Sequence, residues 1–189
     1  MVDTQAAKKP VRHGPLLPPR ARQLVLTVHV IAAGAWIGVD VMVAVLVVVG
    51  MTAADPAAAG LAYQALGTYV LGPMLVSALL CLATGVALGM FTRWGLVRYW
   101  WVAVKLAMNL ALCAAILFAL RPGMPEVAAY GQALAGGAPP APEVVAQLVY
   151  PPAVSLTALA LATWIAVAKP WGRLGRRRRP DAAGLRNPG

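Results

Sequence analysis

Four stretches of this chain are almost free of charge, and each is long enough to cross a lipid bilayer. Leu24–Val49 holds two ionisable groups, His29 and Asp40, and Tyr69–Thr92 holds only the phenol of Tyr69. Trp100–Leu120 holds only Lys105, and Val149–Ala168 only Tyr150. A helix needs about 20 apolar residues to span a hydrocarbon core of about 30 Å. Backbone amides inside such a core must be satisfied within their own segment, so runs of this kind are helices. Of the 189 residues, 60% are hydrophobic and 12% charged, about half the charged fraction of an ordinary soluble domain. The sequence therefore predicts an all-α, four-helix transmembrane bundle. Its spans fall near 24–49, 69–92, 99–120 and 149–168 within a membrane domain over 22–171. Residues 1–21 read as a loose polar arm and 172–189 as a basic tail.

Basic residues precede the first run, as in a secretion signal. The run, however, is far longer than the ~7–15 apolar residues of a signal core, so a retained signal anchor is expected. Lys and Arg alternate between loops. Lys8, Lys9, Arg12, Arg20 and Arg22 precede span one, Arg93 and Arg98 sit between spans two and three, and seven basic residues follow span four. The first outer loop, Gly50–Thr68, has none, and the third loop has only Arg121 against Glu126 and Glu143. The positive-inside rule then puts both termini in the cytoplasm. This topology accounts for the net charge of +10 without nucleic acid as a partner. The run Arg176-Arg177-Arg178-Arg179 is expected to lie on anionic lipid, at about 1 kcal/mol per basic residue.

Several smaller features complete the organisation. Asp55-Pro56 signals a turn in the first loop, and Glu126–Ala135 reads as a short surface helix in the third. Pro151 and Pro152 suit the first turn of span four, where a missing N–H costs nothing. Gly34-x-x-x-Gly38 and Gly85-x-x-x-Gly89 let helix backbones approach closely, either within one bundle or in a homo-oligomer or membrane complex. Cys81 and Cys113 fall inside spans and suit small apolar side chains. With no CxxC or Cys/His cluster, no metal site is expected.

Titratable groups inside spans carry the functional case. At about 100° per residue, His29, Trp36 and Asp40 fall within about 20° of one line on the first helix. Lys105 and Asn109 share a face of the third. Counting about 1.5 Å per residue from the cytoplasmic ends, His29 and Lys105 lie roughly 8–10 Å deep, with Thr84 and Thr163 at a similar level. His29, Lys105, Asn109, Thr84 and Thr163 could form a polar layer holding a proton, an anion or the polar edge of a cofactor. The alternative sends Lys105 along its own helix toward Trp101 and the headgroups. Asp40 leans into the membrane and needs a partner or a proton. Arg121, which leans the same way, is the expected partner in a structural ion pair.

A set of local patterns resembles a family of small bacterial membrane proteins. The segments are His29-Val-Ile-Ala-Ala-Gly-Ala-Trp36-Ile-Gly38-Val-Asp40, Tyr63-Gln-Ala-Leu-Gly67, Leu96-Val-Arg98-Tyr-Trp-Trp-Val-Ala-Val-Lys105, Leu120-Arg121-Pro-Gly123 and Lys169-Pro-Trp-Gly-Arg173. Over about Arg22 to Arg173 they look like the actinobacterial domain-of-unknown-function 2269 family, which implies a multi-pass plasma-membrane protein without an assigned activity. The pattern His29, Trp36, Gly38 is also similar to the first helix of copper-resistance D-type membrane proteins. His29 with Lys105 resembles a pair in the membrane protoporphyrinogen oxidase of the bacterial haem pathway. The only other histidine is His13, in the polar arm, so bis-histidine haem ligation within one chain is not available. Met/His clusters of the kind soft-metal transport uses are lacking too. Three functions are thus expected in turn: binding or moving a small ligand at the His29/Lys105 layer, a haem-associated membrane oxidoreductase with His29 as one axial ligand, or structural assembly in a membrane complex.

Overall fold

The computed structural model describes residues 17–91, 99–140 and 145–168. Every regular element among them is helical. Helix α1 covers Pro19–Thr52, α2 Pro56–Tyr69, α3 Leu71–Met90, α4 Trp100–Ala114, α5 Arg121–Ala135 and α6 Tyr150–Ala168. Four helical stretches are long and apolar enough to cross a membrane: Pro19–Thr52, Leu71–Met90, Trp100–Ala135 and Gln147–Ala168.

Two of these stretches overrun the expected boundaries. α1 has 34 residues, and at 1.5 Å each it is about 51 Å long. α4 does not stop at Leu120 but passes through a π-helical segment, Ala115–Leu120, into α5. A proline lacks the N–H of a helical bond and crowds the carbonyl four residues back. The wider π turns sit immediately before Pro122, where the rod has to absorb that conflict.

The first loop is also helical. Asp55 is an N-cap, accepting a 3.0 Å bond from Ala57 N–H, and Pro56 follows at the first helical position. The turn signal thus starts α2, which folds back along the end of α1. The short helix expected at Glu126–Ala135 is the latter part of α5. The prolines of α6 do lie in its first turn, after a short 3-10 turn at Gln147–Val149.

The elements divide into two ends. At one, Leu17 N–H donates to Phe91 O at 3.1 Å, tying the start of α1 to the exit of α3. At the other, α2 and α5 pack side by side over the end of α1. No chain of side chains could bring backbones so close unless glycine lined the seam. A Cβ on Gly60 would lie 2.5 Å from Gly131 O, one on Gly67 2.5 Å from Met124 O, and one on Gly131 2.6 Å from Gly60 O. Tyr63, 1% exposed, sits over Gly50, where a Cβ would meet its ring at 2.5 Å. It also tilts against Tyr130 at a centroid distance of 5.4 Å. Burial and then Tyr130 raise the phenol of Tyr63 above its ordinary titration range.

Candidate ligand cavity

At the opposite end the helices line an open-sided cavity of about 750 Å³. Its walls come from α1, α3, α4 and α6, and they are mostly Leu, Val, Ala, Gly and Ile. On α1 the lining runs from Arg22 to Ile37, on α4 from Trp101 to Leu112. The cavity therefore starts at the end where α1 begins and reaches into the middle of the bundle. Gly34 widens it, since a Cβ there would meet nothing within 4 Å.

His29, Lys105, Asn109 and Thr163 all line this space. Four residues separated by up to 134 positions are brought together because α1, α4 and α6 face one interior. Thr84 lies beside them as the partner of His29. His29 Nδ1 is 2.9 Å from Thr84 Oγ1 and 3.1 Å from Cys81 O. The Thr84 hydroxyl donates its hydrogen to Leu80 O at 2.6 Å, so its oxygen is an acceptor toward the ring. A carbonyl only accepts. Both partners therefore require the hydrogen on Nδ1, which leaves the lone pair on Nε2. Gly85 leaves room for the ring, because a Cβ there would sit 3.2 Å from His29 Cε1.

Lys105 has no hydrogen-bond or carboxylate partner among the described residues, and it interacts electrostatically with His29 and Cys81. The two orientations expected for it are not exclusive, because Trp101 lines the same cavity. Thr163 contributes less than expected. It is exposed, and its hydroxyl donates back to Leu159 O at 2.8 Å.

Cys81 was expected only as apolar filling, yet it sits inside this group. Its Sγ is 3.9 Å from His29 Nδ1, and it also pairs with Asn109. Asn109 Oδ1 in turn accepts from Cys113 Sγ at 3.4 Å. Depth counting could have placed Cys81 one turn from Thr84, but not which helix face it would share with His29. No group of three or more His, Cys, Asp or Glu able to hold a metal ion occurs among the described residues.

The expected ion pair does not form. Asp40 is 1% exposed, and its carboxylate accepts a 2.5 Å bond from Ser155 Oγ of α6. Arg121 is exposed at the junction with α5. The expectation takes Arg121 as the end of span three, whereas the rod continues past it, through the π turns and into α5. Trp36 shares the face of Asp40 and is 0% exposed. Its Nε1–H is a buried side-chain donor without a partner among the described residues. Arg176, Arg177, Arg178 and Arg179 lie outside the described residues, as do Arg93, Arg98 and Lys169.

No protein-family model matches the chain, and no curated protein or solved structure matches it either. Its functional reading thus rests on the cavity itself.

Proposed function

We propose that this chain is a multi-pass membrane protein that binds or translocates a small ligand in the His29/Lys105 cavity. The observation that carries the reading is the cavity, about 750 Å³ and lined by all four long apolar helices. Its size lies within the ~300–1,000 Å³ of small-molecule sites, which are likewise apolar with a few convergent polar groups. Intramembrane ionisable residues are costly and usually face such an interior. Exposed Ile31, Val45, Phe118 and Val167 give the outward faces the apolar character that lipid requires. α1 exceeds the hydrocarbon thickness by about 20 Å, so the α2/α5 layer stands beyond the bilayer on the far side. The cavity mouth and both termini face the cytoplasm, and the Arg176–Arg179 run lies on anionic lipid. The resemblance to the domain-of-unknown-function 2269 family fits this arrangement.

Binding is tested with the purified full chain in nanodiscs and an environment-sensitive apolar fluorophore. Saturable binding in the wild type and its loss in Gly34→Phe are expected, because that ring would occupy open space beside the cavity. Equal signals from both proteins would overturn the reading. For orientation, Cys81 and Cys113 are first replaced. Cysteines at Ala58 and Ala138 should then react with impermeant thiol reagents in intact cells, and one at Gly184 only after lysis. Labelling at Gly184 from outside would invert the topology.

A second reading, haem-associated oxidoreduction, is favoured by one observation. His29 donates Nδ1–H to Cys81 O and Thr84 Oγ1, the arrangement that orients a histidine to coordinate through Nε2. Titration with haem should then produce a Soret band that His29→Ala removes. No such band, or one indifferent to His29, excludes it.

A further inference from the structure

Resting on the cavity reading above, we infer that the ligand is a monoanionic amphiphile whose acidic head pairs with Lys105 Nζ and whose apolar chain fills the deep end. Among the described residues, the charged side chains lining the cavity are Arg22 and Lys105, both cationic, and no Asp or Glu lines it. A cationic ligand would find no counter-charge there. A neutral apolar ligand would displace water from the Lys105 ammonium and leave it without a partner, which is costly. An acidic head removes that cost, because a charge-assisted bond satisfies the ammonium.

The geometry also limits the charge of the head and the shape of the rest. Arg22 lies seven residues before His29 on α1, about 10 Å nearer the mouth. The single ammonium at the level of Lys105 therefore suits one negative charge, whereas a phosphate dianion or polyphosphate calls for several cations together. Beyond Lys105 the α4 lining continues to Leu112, a further seven residues or about 10 Å. There it faces Ile37, Ala158 and Leu159, all apolar. In the other direction Arg22 stands at the mouth, a second cation on the path an anion would take. A free carboxylic acid with a hydrocarbon chain and an anionic phospholipid share this chemistry.

The test uses the full chain in phosphatidylcholine nanodiscs and cis-parinaric acid, a fluorescent polyene fatty acid, beside its methyl ester. The wild type should bind the acid at least about tenfold more tightly than the ester, the usual worth of a hydrogen bond to a charged group. Lys105→Met should reduce that preference to within about twofold while leaving ester binding in place, which also shows that the variant is folded. Lys105→Arg should restore it. Equal affinity for acid and ester in the wild type, or an intact preference in Lys105→Met, overturns the acidic ligand while the cavity reading stands. If neither probe binds and Gly34→Phe behaves as the wild type, the cavity reading itself fails. Adding phosphatidylglycerol to the nanodiscs separates the two sources. Displacement of the acid identifies a lipid headgroup as an occupant, and no displacement identifies a free acid.

Discussion

The two ends of this bundle are made from similar residues and do opposite things. Around α2 and α5, glycines bring backbones into contact: Gly60 faces Gly131, and Gly67 faces Met124 and Ala128. Around the cavity, Gly34 and Gly85 leave space, one for the interior and one for the His29 ring. Tyr63, Leu66, Val43 and Met124 fill the first end, while the second is bordered by half-buried Lys105 and His29. A small residue therefore has no fixed meaning in a membrane helix. It closes a seam where another backbone stands opposite and opens a volume where none does.

The contrast makes its strongest claim for substitutions at glycine. Gly60→Leu or Gly131→Leu forces a side chain into a neighbouring backbone that cannot rotate away. A loss of about 3 kcal/mol, the upper end of the overpacking range, is expected. Gly34→Leu projects into open space and should stay within about 0.5 kcal/mol of the wild type. Melting of the three variants in one detergent measures the difference. If Gly34→Leu melts as low as Gly60→Leu, the two ends are not packed differently.

Asp40 and Ser155 lie between the two regions. Ser155→Ala removes the donor to a buried carboxylate and should cost about 1–3 kcal/mol. Because the two groups serve one bond, Asp40→Asn with Ser155→Ala should cost less than the sum of the single changes. Additive losses would mean that the 2.5 Å contact contributes nothing to stability. Asp40→Asn with Arg121→Gln, by contrast, should be additive, since the arginine is not the partner.

The smallest effect concerns pH at the packed end. The folded phenol of Tyr63 titrates above its usual value, so the unfolded chain loses this proton first as pH rises. The stability it contributes is complete below about pH 10, the unfolded value. It declines as pH climbs through the folded value. Detergent melts between pH 8 and 11 should show that decline, and Tyr63→Phe should reduce its slope. An unchanged slope would remove Tyr63 as its source, with the exposed cavity end the next place to look.

Much of the helical plan is legible in the sequence, and the reasons for the failures are specific. The four apolar runs are visible because length and lack of charge are local properties. The face shared by His29, Trp36 and Asp40 is visible because α1 is regular throughout, and there spacing converts directly into direction. Arg121 fails because it reads as the end of span three, while the helix runs on through six π-helical residues into α5. Asp55-Pro56 and Glu126–Ala135 mark parts of α2 and α5, but the packing of one on the other is missed, because stretches rich in Ala and Gly carry no pattern that names their partner. Such segments owe their helical state largely to the partner they pack on.

What the sequence determined alone is the set of long apolar helices, the alternation of basic loops, and which polar residues share a face of one helix. These follow from composition and from a constant rotation per residue. The tertiary structure decided which faces meet. It set Ser155 rather than Arg121 against Asp40, brought Thr84 and Cys81 to His29, and left a volume beside Lys105. Each of those outcomes depends on the relative rotation of two helices distant in sequence, and no local pattern specifies that rotation.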